Sequence, residues 1–184
     1  ASDFDGANKV AKSIKRLLIK FSITSVDSVP SENRVTELGA AINALEHFIV
    51  LAVRTADDDA FGRYFSQLRA YYAMTSPENT PGQPKVLGLN LLRLLVDNRL
   101  AEFHSELELV PEGYEASPFV QFPVNLERSM MEGMYKNVLQ ARQNFPDELF
   151  AEYLSPLEDA VRDKISQCAA ASYTSLSLDA AQKL

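Results

Sequence analysis

The sequence predicts an all-α fold, organised as an irregular, TPR-like helical-repeat array of αα-hairpins. Only seven glycines occur in 184 residues, and long segments repeat apolar residues with the period of a helix. One such segment, residues 86–96, is apolar on almost every side, so a helix there needs neighbouring helices on several sides. No fixed sequence period recurs, which favours an irregular array over a strictly repeating one.

Residues 86–110, VLGLNLLRLLVDNRLAEFHSELELV, predict the central hairpin of this array. Asn90, Arg93 and Asp97 are the polar residues of its first half, and their spacing places them on one narrow ridge of a helix. Asn98 and Arg99 interrupt the pattern, and a second apolar stripe then begins. Two helices joined by so short a turn are expected to lie antiparallel.

Three further helices are predicted before this hairpin. Residues 7–21 predict an amphipathic helix with a basic face made of Lys9, Lys12, Lys15, Arg16 and Lys20. We interpret that face as a solvated surface or a dock for an acidic neighbour, rather than as a phosphate or membrane contact. Residues 32–55, with Ser31 as N-cap, and residues 60–73 predict the next two helices. The aromatic stripe of residues 60–73 has helical spacing, which is typical of a core rather than of a ligand site.

The carboxylate triplet Asp57, Asp58 and Asp59 lies between two of these helices. A metal site is one interpretation, but no other ligand cluster accompanies the triplet. Aspartates also cap helices and favour the positive N-terminal end of the helix dipole. Capping of the helix that follows is therefore the expected role.

Proline and glycine predict the boundaries of the later elements. Residues 75–84 are expected to form a loop, and a second break extends as far as Pro123. Helices are then predicted at residues 126–142, capped by Asn125, and at residues 147–153. Ser155-Pro156 is a typical helix start, and this last helix is expected to reach about residue 171.

The final residues suggest a second subdomain. A short extended segment at residues 174–178 precedes a helix capped by Ser177, which is how a winged helix begins. The predicted domains are a helical-repeat array at residues 1–154 and, at residues 155–184, a linking helix with the beginning of a winged helix. The remaining helix and the wing strands of such a module would lie beyond Leu184. The chain starts without a methionine and stops inside a predicted amphipathic helix, so we expect a fragment of a longer protein.

The composition of the chain limits its possible functions. The net charge of −7 argues against a nucleic-acid partner, although a winged-helix nucleic-acid-binding protein remains one alternative. The single cysteine cannot form an internal disulfide, which fits a reducing compartment. The apolar run FIVLAV is too short to span a membrane, and no secretory signal is present in the sequence.

The residues for enzymatic chemistry are few. His47 and His104 are the two histidines, and His104 has Glu108 four residues later, a spacing that orients bases or metal ligands. Cys168 lies on the apolar side of its predicted helix, where a small buried side chain is expected. Since phosphate-binding, nucleophile-elbow and zinc motifs are absent from the sequence, we predict no enzyme, no metal and no cofactor.

Protein binding is the function that a helical array favours, because its long faces are open to other proteins. The candidate contact residues are the polar ridge and turn of the central hairpin: Asn90, Arg93, Asp97, Asn98 and Arg99. The alternative is structural: Asp97 and Asn98 end one helix and start the next, and Arg93 pairs with Asp97.

Several segments resemble one family. VLGLNLLRLLVDNRLAEFHSELE, FGRYFSQLRAYY, PVNLERSMMEGMYKNVLQARQNFP and VRDKISQCAAASYTSLSLDAA are similar to PCI-domain lid subunits of the 26S proteasome regulatory particle. The likeness extends over about residues 57 to 184. It implies a helical-repeat domain leading into a winged helix, and a non-catalytic scaffold role in ubiquitin-dependent degradation in the cytoplasm and nucleus.

The resemblance also implies partners. These are other lid subunits, especially a neighbouring PCI subunit of the non-ATPase regulatory subunit 3 type, and a nearby ubiquitin-receptor subunit, with no membrane partner. The alternative assignments are the related small PCI subunits of the signalosome and of the third eukaryotic initiation factor.

Overall fold

The computed structural model describes residues 31–75, 80–173 and 175. In these ranges the regular structure is helical: α1 (Ser31–Arg54), α2 (Asp58–Ala73), α3 (Gln83–Val96), α4 (Leu100–Glu108), α5 (Pro118–Met131), α6 (Tyr135–Gln140), a 3-10 turn (Ala141–Gln143) and α7 (Glu148–Ser172). The all-α prediction is confirmed for these ranges. The predicted helix at residues 7–21 and the predicted helix behind Ser177 lie outside the described residues.

The described residues divide into two compact units, with the division between Val86 and Leu87. In the first unit, α1 packs along α2. The buried side of α1 presents Leu45, Phe48 and Ile49, and the rings of Phe48 and Tyr64 lie 5.4 Å apart. The aromatic stripe of α2 is core, as predicted: its buried members are Phe61, Phe65, Leu68 and Tyr72.

A carboxylate bridges two elements of this first unit. The Tyr72 hydroxyl donates to Glu46 Oε1 at 2.7 Å, tying α2 to α1. Gly82 makes room for the same carboxylate, because a Cβ on residue 82 would lie 2.3 Å from Glu46 Oε2. Before α3, the buried Thr80 hydroxyl donates to Gln83 Oε1 at 2.8 Å. The predicted end of the loop at residue 84 is therefore wrong: the loop ends at Gly82, and both Gln83 and Pro84 belong to the first turn of α3.

The second unit has the apolar α3 at its centre. Buried residues cover nearly its whole circumference, namely Gly88, Leu89, Asn90, Leu91, Leu92, Leu94 and Leu95. The prediction that this helix is enclosed on several sides is confirmed. Phe103 of α4, Val120 of α5 and Phe150 of α7 are also buried, and both Phe119 and Phe122 place their rings within 6.1 Å of Phe150.

The predicted helix at residues 126–142 is wrong at both ends. The structure begins α5 at Pro118, with Ser117 at the N-cap position. Proline suits the first position of a helix because its φ is already helical and because an N–H at that position would have no helical partner. Pro123 lies inside this helix. The helix then ends at Met131 because Gly133 adopts a φ of 73°, and the short α6 follows.

The predicted break at Ser155-Pro156 is also wrong. One helix, α7, runs from Glu148 to Ser172 and passes through Pro156. Asp147 caps it, with its carboxylate accepting from the Leu149 N–H at 3.0 Å. The apolar residues on both sides of the proline, Leu154 and Leu157, are buried, and their packing outweighs the missing backbone hydrogen bond. The division at residue 155 into two domains stays a prediction, and it falls within this helix.

Among the described helices, α1 contains a segment, Thr36–Arg54, that is long and apolar enough to cross a membrane by length and composition alone. A core helix meets the same test, so the finding is weak evidence for a span. In this structure Leu45, Ile49 and Val53 of that segment are buried.

Candidate functional site

The polar ridge of α3 is less accessible than the sequence suggested. Asn90 is only 3% exposed, so it lies inside the second unit and is no surface contact residue. Arg93 is half-buried, and its Nη2 donates to Asn90 Oδ1 over a long 3.4 Å. The prediction of an exposed ridge is therefore wrong at Asn90, because neighbouring helices cover α3 on this side as well. Arg93 is partly accessible, and Asp97 is the first exposed residue of the candidate site.

The turn after α3 is built by its own backbone. Asn98 takes a φ of 57°, in the left-handed region that asparagine tolerates better than most residues. Its N–H donates to the Leu95 carbonyl at 3.1 Å, and the Arg99 N–H donates to the Leu94 carbonyl at 2.9 Å. These are the two bonds of a Schellman motif. Asn98 therefore ends the helix, as the structural alternative predicted.

The side chain of Asn98 has an intramolecular partner as well. Its Oδ1 accepts from Lys164 Nζ of α7 at 3.2 Å, although both groups are exposed. The contact ties the turn to α7 within the second unit. An external partner would compete with this lysine for the same oxygen.

Arg99 presents a charged pair at the surface. Its Nε donates to Glu102 Oε1 at 2.7 Å, and its Nη2 forms an ion pair with the other oxygen of the same carboxylate. The bond to Glu102 raises the pKa of Arg99. The exposed turn of Asp97, Asn98 and Arg99, with Glu102, forms a polar surface suited to hydrogen bonds and charge contacts with a protein. Whether Arg93, Asp97, Asn98 and Arg99 bind a partner stays a prediction.

His104 faces a different carboxylate from the one expected. Its Nε2 lies 3.5 Å from Glu127 Oε1 of α5, and its ring meets Phe103 edge-on at 5.4 Å. The spacing to Glu108 on the same helix was the local pattern in the sequence, whereas the pairing with Glu127 of α5 depends on tertiary packing. His104 thus links two helices.

The prediction that Cys168 is buried is wrong. The structure places it on the exposed surface of α7. Val161, two turns earlier, is fully buried, whereas residues 162–172 are exposed or half-buried. Cys168 lies on the same side of the helix as Val161, as the spacing predicted. In the described part of the chain no element covers the last turns of α7, so Cys168 is exposed.

A buried carboxylate was missed by the sequence reasoning. Glu158 is 8% exposed, and its Oε2 lies 3.3 Å from Arg162 Nη2 and 3.9 Å from Arg142 Nη1. Arg162 also binds Asp159 Oδ1 at 2.9 Å. The spacing of four residues from Glu158 to Arg162 was a signal for this pair, but Pro156 suggested a helix start and placed Glu158 in a first turn. The cluster holds α7 to the 3-10 turn.

The aspartate triplet caps α2, as predicted. Asp57 Oδ1 accepts from the Ala60 N–H at 2.9 Å, and Asp58 and Asp59 occupy the first turn. Across residues 31–75, 80–173 and 175, no group of three or more His, Cys, Asp or Glu side chains is arranged to hold a metal ion.

Comparison with known proteins gives consistent matches. The model of the CSN8/PSMD8/EIF3K family matches residues 81–184. An Arabidopsis thaliana protein named 26S proteasome non-ATPase regulatory subunit 8 homolog A is 40% identical over 99% of this chain and 69% of its own length. The 26S proteasome regulatory subunit rpn12 of Schizosaccharomyces pombe is 36% identical over 78% of this chain and 54% of its own length.

The similarity extends to a more distant relative. The 26S proteasome regulatory subunit RPN12 of Saccharomyces cerevisiae is 28% identical over 96% of this chain and 67% of its own length. The chain thus spans between 54% and 69% of the length of these three relatives. The family model match to residues 81–184, with the 40% identity along nearly the whole chain, shows that this chain belongs to the CSN8/PSMD8/EIF3K family.

Proposed function

We propose that this chain is a non-catalytic structural subunit of the lid of the 26S proteasome regulatory particle, where it supports assembly and ubiquitin-dependent protein degradation. The observation that carries the proposal is the 40% identity over 99% of the chain to a relative named as a proteasome non-ATPase regulatory subunit. Two fungal relatives carry proteasome regulatory names as well. The signalosome and initiation-factor alternatives share the family but have less support.

The positions of the reactive side chains support a binding role over a catalytic one. His104 is engaged with Glu127 between two helices, and Cys168 lies on the outer end of α7. A general base or a nucleophile acts within a site that also holds the substrate and stabilises developing charge. The surroundings of His104 are instead those of a helix–helix contact.

The proposed partners are other lid subunits, first among them a PCI subunit of the non-ATPase regulatory subunit 3 type, with a ubiquitin-receptor subunit nearby. The contact that we assign to this chain is the turn Asp97, Asn98 and Arg99, together with Arg93. In its favour, all three turn residues are exposed and lie on a short connection held in place by two backbone hydrogen bonds. A preorganised polar turn loses little conformational freedom on binding.

The test is affinity purification of the tagged full-length protein followed by mass spectrometry. The proposal predicts recovery of lid and base subunits of the proteasome at levels well above those of any other complex. Recovery of signalosome subunits, or of the third initiation factor, without proteasome subunits would assign the chain to another branch of the family. An untagged cell line provides the background control.

We also infer that the protein acts in the cytoplasm and nucleus, in keeping with its resemblance to proteasome lid subunits. Imaging of the tagged full-length protein at its native expression level tests this inference. Signal in both compartments supports it, whereas signal confined to a membrane-bound organelle contradicts it.

A further inference from the structure

The chain contains four dipeptides in which serine or threonine precedes proline: Ser76-Pro77, Thr80-Pro81, Ser117-Pro118 and Ser155-Pro156. Kinases directed by proline phosphorylate such hydroxyls, and they bind the target backbone in an extended conformation. A proline at the following position suits that binding mode because it favours an extended conformation in the residue before it. The sequence alone does not discriminate between these dipeptides. The structure discriminates between the three that it describes.

Two of the three are poorly placed for a kinase. Thr80 is only 1% exposed, and its hydroxyl donates to the buried Gln83 side chain. Ser155 is exposed, but it lies within α7, with helix on both sides. An extended backbone at Ser155 would require several turns of α7 to unwind, and Leu154 and Leu157 would then lose their packing.

Ser117 is placed differently. Its backbone is already extended, with φ of −66° and ψ of 136°, and its side chain makes no capping hydrogen bond to α5. The residue is half-exposed, and its neighbours Glu115, Ala116 and Pro118 are exposed. A kinase that bound this segment would need to displace the first turn of α5 and the turn before it. In that turn the Ser117 N–H donates to the Tyr114 carbonyl at 3.0 Å, and Gln121 Nε2 donates to the Glu115 carbonyl at 2.7 Å.

We infer that Ser117 is a phosphorylation site for a proline-directed kinase. In the reaction, Ser117 Oγ attacks the γ-phosphorus of ATP, the bond from that phosphorus to the β,γ-bridging oxygen breaks, and ADP leaves. The hydroxyl proton passes to the base of the kinase. The inference concerns the isolated fold and does not depend on the proposed place of the chain in the proteasome.

The phosphate would change the surface rather than the fold. Residues 100–127 contain neither lysine nor arginine and hold six glutamates, at positions 102, 106, 108, 112, 115 and 127. A phosphate adds further negative charge to this stretch. The positive end of the α5 dipole favours that charge, whereas the nearby Glu115 opposes it. Because the two effects oppose each other, we expect the modified chain to remain folded with a more acidic surface.

The test uses the purified chain carrying Ser76→Ala, which removes the dipeptide outside the described residues. A proline-directed kinase is chosen for equal activity on three synthetic peptides, covering residues 112–122, 75–85 with Ser76→Ala, and 150–160. The intact chain is then incubated with that kinase, ATP and magnesium, and phosphate is located by mass spectrometry. Ser117→Ala is the loss variant, and Ser117→Thr is the conservative variant that keeps an acceptor hydroxyl.

The expected result is an initial rate at Ser117 at least about tenfold higher than the rate at Thr80 or Ser155, because their modification requires local unfolding. Ser117→Ala should remove most of the incorporated phosphate, and Ser117→Thr should retain it. Modification of Thr80 or Ser155 at an equal rate would overturn the inference, as would an intact chain that stays unmodified at Ser117 while the peptide reacts.

Discussion

At the scale of single residues, three helices end on a residue with positive φ: Ala56 at 50°, Asn98 at 57° and Gly133 at 73°. Each has the same pair of backbone bonds. For Ala56 they are the Asp57 N–H to the Ala52 carbonyl at 3.0 Å and the Ala56 N–H to the Val53 carbonyl at 3.1 Å. Glycine suits this position and asparagine tolerates it, but the Cβ of alanine makes it unfavourable. Ala56 is therefore a strained position in the first unit.

Replacing Ala56 with glycine is expected to increase the free energy of unfolding by about 0.5–1 kcal/mol, because it removes the Cβ clash at positive φ and loses only part of that gain to chain entropy. Urea denaturation of the purified chain measures the change. The matched control is Gly133→Ala, which should reduce stability by about 1 kcal/mol through the backbone alone, since nothing lies within 4 Å of its Cβ position. A less stable Ala56→Gly chain would show that the turn is unstrained.

Arg99 is the residue whose charge tests the proposed contact. Arg99→Glu should reduce the recovery of lid subunits with the tagged protein by about tenfold, because a reversed charge in an interface introduces repulsion and removes a hydrogen bond. Circular dichroism should remain unchanged, since the lost pair with Glu102 is exposed and contributes little. Lys136→Glu, on the exposed surface of α6, makes the same change in charge and is the control. Equal recovery with both variants would remove Arg99 from the contact.

At the scale of helices, a glycine and a proline explain how α3 and α5 approach each other. Pro123 has no N–H, so the Phe119 carbonyl four residues earlier lacks its usual helical donor. That same carbonyl oxygen lies 2.2 Å from the position that a Cβ on residue 88 would occupy. Gly88 therefore lets α3 come up against the part of α5 that the proline leaves open.

Gly88→Ala is expected to reduce the free energy of unfolding by about 1–3 kcal/mol, because the added methyl group must displace backbone rather than a flexible side chain. The control is Gly62→Ala in α2, where nothing lies within 4 Å of the Cβ position. There alanine should increase stability by up to about 1 kcal/mol through its helix propensity. A gain of stability in both variants would show that α3 and α5 are not in close contact at Gly88.

Pro156 is the second proline inside a helix. Pro156→Ala should restore the hydrogen bond to the Glu152 carbonyl and increase stability by about 1–3 kcal/mol, since proline within a helix is unfavourable by about 3 kcal/mol relative to alanine. Thermal unfolding followed by circular dichroism at 222 nm measures the gain. A loss of stability would indicate instead that the proline sets a bend needed for the packing of Leu157 and Val161.

Helix type was predictable from the sequence, but several boundaries were not. The enclosed α3, the core stripe of α2 and the Asp57 cap all follow from local patterns, and the structure contains them. The errors at Pro123 and Pro156 have one cause. Local propensity favours a break at each proline, whereas burial of the flanking apolar residues keeps the helix continuous.

The candidate site was predictable only in part. The ridge of Asn90 and Arg93 was identified correctly as polar, but its burial depends on helices distant in sequence. The same is true of the contacts from Lys164 to Asn98 and from His104 to Glu127, which join different helices. The pair of Arg99 and Glu102 is local, with a spacing of i to i+3, so it was predictable from the sequence.

At the scale of the whole molecule, we propose that the chain is a stable component of the proteasome lid. The direct measurement is the copy number of this protein in proteasomes purified through a tag on a different subunit, by quantitative mass spectrometry with labelled reference peptides. We expect a copy number equal to that of the other non-ATPase subunits. A copy number far below theirs, with the bulk of the protein in another complex, would contradict it.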